Sequence, residues 1–381
     1  LWMAIPFAFV GVLTFTVPDF GPDGKLIWAY TTFILIMVLY TAINIPYTAL
    51  LGVISPDSLE RTSVSQFKFL FAFAAGIIVS ATLLPLVQLL GNGNDAQGWQ
   101  YTFIIYGIAA VIFFFIAFKG TKERVQPPKN QKSSIKQDLF ELVTNGPWLI
   151  LLLTTILFIL FVAVRSSVTV HYFKYYVGTQ DVSLPFLEKG TYDFNAIVSV
   201  FNTVGQVSSF IGVLIISWIT KLLGKKTTFV TLFIIAIIGT GGFYFCGPDQ
   251  LGLIFFFQII GSLSGGPLSV ILWAMYADTA DYAEWKFGRR ATGIVFSAAT
   301  FGQKFGWGIG GAITGWLLAM FNYEPNTIQS SETILGIKLM LSIIPGALMI
   351  LSVILLFFYN LTEPMMEKVQ SELADRRLVN E

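Results

Sequence analysis

The chain has 381 residues, of which 55% are apolar and 12% are charged, and its net charge is +1. Because soluble domains have roughly 45–50% apolar and about 25% charged residues, this composition excludes most soluble folds. The near-neutral charge argues against nucleic acid as a partner. A single cysteine and a single histidine exclude an intrachain disulfide and a Cys/His metal cluster.

Ten apolar runs are long enough to cross a bilayer, which takes about 20 residues each. They are predicted at residues 1–17, 26–54, 65–90, 100–118, 147–177, 193–220, 227–246, 251–277, 291–320 and 333–359. The predicted parts of the chain are the remainder of an N-terminal helix bundle at 1–118, a central loop at 119–146, a six-helix bundle at 147–360 and a tail at 361–381. The chain begins inside an apolar run without an initiator Met, so we expect an N-terminal truncation.

Basic residues are distributed unequally between the two sides of the predicted membrane. Sixteen Lys and Arg residues lie on the side of the central loop and the tail, and three lie on the opposite side. The positive-inside rule therefore predicts a multi-pass protein of the cell membrane, either a plasma membrane or a bacterial inner membrane. Its central loop and C-terminus are predicted to be cytoplasmic.

Four further cations lie within apolar spans. They are Lys68, Arg165, Lys304 and Lys338. No Asp or Glu lies clearly within a span, and an unpaired charge in hydrocarbon costs at least about 2.5 kcal/mol. The three deeper cations, Lys68, Arg165 and Lys304, therefore need partners, which absent helices, an anionic ligand or a polar cavity could supply. Lys338 lies near a helix start and is expected to snorkel to the interface. Each of these options favours a transport function.

Polar residues share faces on three predicted helices. The helix at 26–54 carries Tyr40, Asn44, Tyr47 and Thr48 around Pro46, which bends the helix. The helix at 147–177 carries Arg165, Thr169, Tyr172 and Tyr176, and the helix at 193–220 carries Asn195, Ser199, Asn202, Gln206 and Ser209. Hydroxyl and amide groups on such faces can hydrogen-bond a sugar. The alternative is that they hydrogen-bond a neighbouring helix.

Two later helices combine small residues with candidate contact residues. An interruption of the helix at 251–277 is predicted at Gly261, Gly265, Gly266 and Pro267, and interrupted helices mark binding regions in transporters. Trp273 is then either an aromatic residue of the binding site or an anchor at the membrane–water interface. On the helix at 291–320, close packing is predicted at Gly302, Gly306 and Gly310. Thr300 and Lys304 form a polar face or part of a structural ion pair.

Four segments together resemble the glycoside-pentoside-hexuronide:cation symporters, relatives of melibiose permease in the major facilitator superfamily. They are YTAINIPYTALLGVISPDSLERTS (40–63), GTKERV (120–125), HYFKYYVG (171–178) and WAMYADTADYAEWKFGRRATGIVFSAATFGQKFGWGIGG (273–311). The resemblance implies an all-α integral membrane fold of twelve helices in two bundles around a central cavity, of which this chain would hold helices three to twelve. It also implies a secondary transporter rather than an enzyme, which carries a sugar, glycoside, pentoside or hexuronide with Na⁺ or H⁺ by alternating access. No further cofactor and no metal site are expected, and a monomer is the expected functional form.

The resemblance also carries site residues over to this chain. The implied substrate-binding residues are Tyr40, Asn44, Thr48, Lys68, Trp273, Thr300 and Lys304. Thr41 corresponds to a threonine near the coupling cation, whose Asp ligands lie on the first two helices of the family. Asn44 and Thr48 stand where melibiose permease has an aspartate and a tryptophan, so a different sugar specificity is implied. The cavity-lining candidates are Arg165, Thr169, Tyr172, Asn202 and Gln206.

Charged residues in two predicted cytoplasmic loops are candidates for gating contacts. They are Arg61, Asp278, Asp281, Glu284 and Arg290. The alternative is that they are solvated determinants of topology. Two other functions stay open, namely a lysolipid or other amphiphile symporter of the same superfamily and, remotely, a Mg²⁺-dependent membrane prenyl or phosphate transferase. The latter would use Asp278 and Asp281, but the sequence has no second acid-rich loop to complete its site.

Overall fold

The computed structural model describes residues 2–125, 135–182 and 189–379. Residues 126–134 of the predicted central loop lie outside the described residues. Within the described ranges the chain is almost entirely helical. Its α-helices are α1 (Ala4–Thr14), α2 (Pro22–Ala49), α3 (Ser58–Gly91), α4 (Asp95–Gly120), α5 (Ile135–Thr144), α6 (Gly146–Tyr172), α7 (Phe194–Leu223), α8 (Lys225–Gly241), α9 (Leu251–Phe287), α10 (Thr292–Met320), α11 (Ser331–Leu341), α12 (Ile343–Phe357) and α13 (Glu363–Val379).

Short irregular elements extend three of the α-helices. They are 3₁₀ turns at Leu50–Gly52 and Gly242–Phe245 and a π-helix at Phe173–Val177. Strands β1 (Gln180–Val182) and β2 (Gly190–Tyr192) pair antiparallel with Asp181 opposite Thr191. This hairpin was not predicted from the sequence.

Each of the ten predicted spans contains a helix. Among the described residues, eight helical segments have the length and apolar composition of a membrane crossing. The other two predicted spans, 1–17 and 291–320, contain α1, which has 11 residues, and α10, which has 29 residues. The last predicted span is divided at Ser342, where the backbone leaves helical geometry between α11 and α12.

One predicted feature of the helices is wrong. Helix α9 is not interrupted, because it continues through Gly265, Gly266 and Pro267 to Phe287. A proline removes one backbone hydrogen bond, and a helix can bend there without ending. The predicted central loop and tail also contain helices α5 and α13.

The chain folds into two compact units. Unit one comprises residues 1–56 and 71–126, and unit two comprises residues 57–70 and 127–381. In unit one, α1 packs against α2 and α4. The Phe15 ring stacks on Phe103 with centroids 3.5 Å apart, and Trp28 Nε1 donates to the Thr16 carbonyl at 3.0 Å.

In unit two, α6 packs against α10 and α12, and α9 packs against α7 and α8. The predicted small-residue face of α10 is confirmed, since a Cβ at Gly306 would lie 2.9 Å from Ile159 Cβ and one at Gly310 would lie 2.5 Å from Ala163 Cβ. Gly212 on α7 allows an equally close approach to α9, where a Cβ would lie 2.1 Å from the Leu263 carbonyl oxygen. Glycines therefore determine the helix spacing in this unit.

Candidate functional site

Lys68 and Trp273, both predicted to bind substrate, are in direct contact within unit two. The Trp273 side chain is 7% exposed, which does not fit an interfacial anchor, and its ring stacks on Phe296 at an interplanar angle of 4°. Lys68 Nζ lies 5.0 Å from the centroid of the Trp273 ring, a distance at which a cation is attracted to the aromatic face. The tryptophan therefore provides a partner for an intramembrane lysine.

Thr300 and Lys304 lie on α10 beside this contact. Thr300 is buried and its Oγ1 donates to the Phe296 carbonyl at 2.8 Å, so its hydroxyl proton is already used within the helix. Lys304 lies about one turn further along and is exposed. Through the Phe296 ring, Trp273 contacts the helix that carries Thr300.

The remaining predicted substrate residues belong to unit one. Tyr40 and Asn44 line a cavity of about 390 Å³ together with Tyr47, Phe7 and Phe113. Two further predicted site residues have hydroxyl groups that donate within α2. Thr41 Oγ1 donates to the Met37 carbonyl at 2.8 Å, and Thr48 Oγ1 donates to the Asn44 carbonyl at 2.9 Å. Thr48 is 2% exposed and does not line this cavity.

The five cavity-lining candidates of α6 and α7 do not share one environment. Arg165 Nη2 donates to Gln258 Oε1 at 2.7 Å, and Thr169 donates to the Arg165 carbonyl. Asn202 and Gln206 are exposed. Tyr172 is fully buried in an apolar cluster with Phe173 and Phe243, and its cavity-lining role stays a prediction. The π-helix that follows α6 adds Phe173 and Val177 to the cluster that buries Tyr172.

The charged gating candidates form a buried network, which we call the ionic cluster. Its members are Arg61, Lys225, Asp278, Asp281, Glu284 and Arg290. Asp278 pairs with Arg61 at 2.7 Å and with Lys225 at 2.6 Å. Asp281 pairs with Arg61 at 2.5 Å and with Arg290 at 2.7 Å, and Glu284 pairs with Arg290 at 2.5 Å. Three cations thus balance three carboxylates in a site from which water is largely excluded.

The prediction that these residues lie in loops is wrong for four of the five. Asp278, Asp281 and Glu284 lie at intervals of three on α9, and Arg61 lies in the first turn of α3. An interval of three keeps side chains on one helix face, so the acids point in a common direction. Only Arg290 lies between helices. The three acids pair with Arg61, Lys225 and Arg290, which lie near helix ends.

Several members of this region were not predicted to take part in the site. Lys225 was assigned only a role in topology, although its Nζ donates to Ser58 Oγ, which in turn donates to Asp278 Oδ1 at 2.7 Å. The Glu363 carboxylate accepts the Lys225 backbone N–H at 2.5 Å. Burial near the carboxylates of Asp278 and Glu363 holds the pKa of Tyr359 well above its usual value. No spacing in the sequence indicates the contacts of Lys225 with Ser58 and Glu363, because these residues are more than a hundred positions apart.

Neutral hydrogen bonds extend the contacts of α3 beyond the ionic cluster. Gln66 Nε2 donates to the carbonyls of Val213 and Leu214 at 2.7 Å each, and Ser217 donates to Gln66 Oε1. Ser65 Oγ donates to the Val270 carbonyl at 2.8 Å. The first turns of α3 are thereby attached to α7 and α9 within unit two.

Comparisons with known proteins agree with this architecture. The family described as MFS/sugar transport protein matches residues 1–363. The isoprimeverose transporter of Lactiplantibacillus pentosus is 37% identical, over 94% of this chain and 73% of its own length. The inner membrane symporter YicJ of Escherichia coli K12 is 34% identical, over 98% of this chain and 78% of its own length. YagG of the same strain, provisionally named a glycoside/cation symporter, is 32% identical over 99% of this chain and 79% of its own length.

Solved structures establish the same fold at low sequence identity. The transporter FucP in its outward conformation superposes with a TM-score of 0.64 at 15% identity, covering 94% of this chain and 82% of FucP. The proton:xylose symporter XylE superposes with a TM-score of 0.59 at 12% identity, covering 97% of this chain and 82% of XylE.

The chain belongs to the MFS/sugar transport protein family, which confirms the resemblance seen in the sequence. It is a multi-pass membrane transporter with the major facilitator fold and not an enzyme. The alternative of a Mg²⁺-dependent transferase is wrong, and the geometry gives a reason. Both Asp278 and Asp281 are paired with Arg61, so their charges are already neutralised within the protein.

Proposed function

We propose that the chain transports a sugar or glycoside together with Na⁺ or H⁺ by alternating access. The family and the printed names of the relatives support symport of this general kind. The contact between Trp273 and Lys68 is the observation that carries the assignment of the substrate site. An indole ring beside an amine offers a pyranose an apolar face to stack on and a hydrogen-bond donor for a hydroxyl group.

The substrate would compete with Lys68 for the Trp273 ring. Phe296 stacks on Trp273 and Lys68 Nζ lies over the indole, so the ring is almost fully covered. Lysine has a flexible four-carbon stem and can withdraw, whereas Phe296 is fixed in the core of the unit. We therefore assign sugar stacking to the Trp273 face now facing Lys68. Tyr40 and Asn44 are proposed as further sugar contacts, and Thr41 as a contact near the coupling cation.

The ionic cluster is proposed as a gate on the side that the charge distribution predicts to be cytoplasmic. Its salt bridges and the neutral bonds of Gln66 hold the first turns of α3 against α7 and α9. Opening that side would require these bonds to be exchanged for water or new partners, whereas closing it would restore them.

The division of the chain at 1–118, 119–146, 147–360 and 361–381 stays a prediction. The cytoplasmic location of the tail and the monomeric state also stay predictions.

Coupled transport can be tested in proteoliposomes with the purified chain. A labelled glucoside should accumulate when an inward Na⁺ or H⁺ gradient is imposed, and an ionophore that dissipates the driving gradient should abolish accumulation. Uptake that is independent of both gradients would contradict symport. Competition by lysolipids but by no sugar would instead favour the amphiphile alternative.

The substrate site is tested by Trp273→Ala, with Trp307→Ala on α10 as the matched control. Trp307 is 47% exposed and lies outside the proposed site. Loss of the Trp273 ring should raise the apparent Kd for the glucoside at least about tenfold, or about 1.4 kcal/mol, because the stacking surface is removed. Trp273→Phe should retain part of the affinity. Equal affinities for the Trp273→Ala and Trp307→Ala variants would rule out the proposed site.

A further inference from the structure

Lys338 is a cation within a membrane span that the proposed transport mechanism does not use. It lies about two turns after the start of the span Ser331–Phe357, and its side chain is partly exposed. Among the described residues, no carboxylate lies within ion-pair distance of its ammonium group. A charge in a membrane span is costly unless its side chain reaches water, a lipid headgroup or another partner. The contacts of Lys338 therefore show where its charge is accommodated.

The Lys338 ammonium group lies at the level where two other spans end. Its Nζ atom donates to Tyr176 Oη at 3.1 Å and lies 5.5 Å from the centroid of the Tyr244 ring. Each tyrosine is the last residue but one of its span, Gly146–Val177 or Lys225–Phe245. Side chains of a helix point towards its N-terminus, so Lys338 extends towards the same membrane surface. Tyrosines are enriched at membrane–water interfaces, which places the ammonium group at the depth of the lipid headgroups.

Tyr176 holds the ammonium group in place. The Tyr176 hydroxyl donates to the Cys246 carbonyl at 2.7 Å, so its oxygen is oriented to accept from Lys338. An ammonium group has three donors, and in the part of the chain that the structure describes only one of them is used. The exposed Tyr244 hydroxyl makes no hydrogen bond to any described residue. Two N–H groups and one O–H group are thus available to a common acceptor.

The surface around these donors is apolar and faces lipid. Phe245 is 78% exposed, and its ring contacts that of Tyr244 with centroids 5.5 Å apart. Leu335 is also exposed and lies three positions before Lys338, on the same face of α11. An acceptor that combines a negative charge with hydrocarbon chains fits this surface better than a water-soluble anion does. An anionic phospholipid has this combination.

We propose that Lys338 and Tyr244 form a headgroup site for an anionic phospholipid, in the leaflet opposite the side predicted to be cytoplasmic. Phosphate oxygens accept from the Lys338 ammonium group and the Tyr244 hydroxyl, and the acyl chains lie along Phe245 and Leu335. Tyr176 is the residue that positions the ammonium group. The site is additional to the proposed sugar transport and does not depend on the substrate contacts, because lipid binding is measured without sugar.

The experiment compares lipids that share their acyl chains and differ in their headgroups. The full chain is purified in octaethylene glycol monododecyl ether, and native mass spectrometry gives the dissociation constant of the first bound lipid. Phosphatidylglycerol should bind about fivefold more tightly than phosphatidylcholine, whose choline offsets the phosphate charge, and at least about tenfold more tightly than diacylglycerol. Inorganic phosphate at the same concentration should not displace phosphatidylglycerol. Equal affinities for the three lipids, or displacement by inorganic phosphate, would overturn the proposal.

Three variants test the residues. Lys338→Gln should weaken phosphatidylglycerol binding about tenfold, because a charge-assisted hydrogen bond is lost, and should change diacylglycerol binding by less than about twofold. Lys338→Arg retains the charge and should bind phosphatidylglycerol within about threefold of the wild-type chain. Tyr244→Phe keeps the ring and removes the hydroxyl, so it should weaken binding at least about threefold. This exposed substitution tests the site even if Lys338→Gln fails to fold.

Lys25→Gln is the matched control, since it removes another exposed positive charge, near the start of α2. It should leave the dissociation constant of phosphatidylglycerol unchanged. An unchanged dissociation constant in Lys338→Gln would overturn the site. An equal loss of affinity in Lys25→Gln would do the same, because it would show general attraction of anionic lipid to a positive charge rather than a defined site.

Discussion

The two units of the chain contain helices of similar composition that differ greatly in burial. In unit one, 11% of the most apolar stretch of Pro22–Gly52 is buried, and 6% of that of Asp95–Gly120. In unit two, the corresponding values are 61% for Gly146–Val177 and 56% for Leu251–Phe287. Because lipid tails are as apolar as leucine, hydrophobicity alone does not determine whether a membrane helix faces lipid or protein. Glycines and polar side chains mark the packed faces in unit two.

Charged residues show the same contrast. The carboxylates near the helix ends of unit one, Asp19, Asp23 and Asp95, are exposed. In unit two, Asp278 and Asp281 are 2% and 3% exposed and paired with arginines or lysine. A carboxylate in unit one can exchange its interactions with water, whereas one in the ionic cluster cannot. Stability should therefore respond differently to the same substitution in the two units.

The largest difference is expected for Asp278→Asn compared with Asp23→Asn. The Asp278 carboxylate accepts from Arg61, Lys225 and Ser58, so its neutralisation leaves excess positive charge buried. Breaking a buried ion pair in this way costs about 3–5 kcal/mol. Asp23 lies in the first turn of α2, where an exposed carboxylate contributes about 0.3–1 kcal/mol. Thermal unfolding of the two variants in the same detergent measures the difference.

Similar losses of stability in the two variants would show that water reaches the ionic cluster. Asp278→Asn has a second expected effect if the cluster is a gate. The variant should favour the conformation open on that side, so a membrane-impermeant thiol reagent should label a cysteine introduced at Ser65 faster than in the wild-type background. Unchanged labelling would separate the structural role of the cluster from gating.

An intermediate difference is expected for Gly212→Ala compared with Gly76→Ala. A methyl group at Gly212 would lie 2.1 Å from the Leu263 carbonyl oxygen, so α7 and α9 must move apart. Overpacking of this kind costs about 1–3 kcal/mol. Gly76 on α3 belongs to unit one and has open space around it, so alanine should be neutral or should stabilise the helix by up to about 1 kcal/mol. Thermal unfolding again provides the measurement, and a destabilised Gly76→Ala variant would contradict the contrast.

The positions of the spans were predictable from the sequence, whereas the ends of two important helices were missed. Charged residues after position 277 were interpreted as a loop, yet α9 continues until Gly288 adopts the left-handed conformation that ends it. Asp57 similarly starts α3 early, since its Oδ1 accepts the backbone N–H groups of Leu59 and Glu60. Both are standard helix end signals. Hydropathy does not show these ends, because in both helices the apolar run is shorter than the helix.

The partners of the charged residues could not be predicted in the same way. Arg61 and Asp278 are separated by 217 positions, and Lys225 and Asp278 by 53. Helical periodicity predicts neighbours on one helix, but nothing in a single sequence specifies which face of α9 meets the first turn of α3. The glycines of α10 were predictable as a packing face because their four-residue spacing is local. Their partner helix, α6, was known only from the structure.

The smallest expected difference concerns a matched pair of threonines. Thr155 and Thr82 each donate to a backbone carbonyl one turn earlier and each lie next to a tyrosine hydroxyl, Tyr276 at 2.7 Å and Tyr106 at 2.8 Å. The Thr155 pair in unit two is buried, whereas the Thr82 pair in unit one is only half-buried.

Thr155→Val should cost about 0.6 kcal/mol and at most about 1.7 kcal/mol, the range for hydrogen bonds between membrane helices, because Tyr276 loses a partner that water cannot replace. Thr82→Val should cost less than about 0.5 kcal/mol, since the Tyr106 hydroxyl can find another partner. Double-mutant cycles with Tyr276→Phe and Tyr106→Phe isolate each pairwise term. Equal coupling energies for the two pairs would mean that burial does not change the strength of these hydrogen bonds. A larger coupling for Thr155 would extend the contrast from ion pairs and packing to neutral contacts.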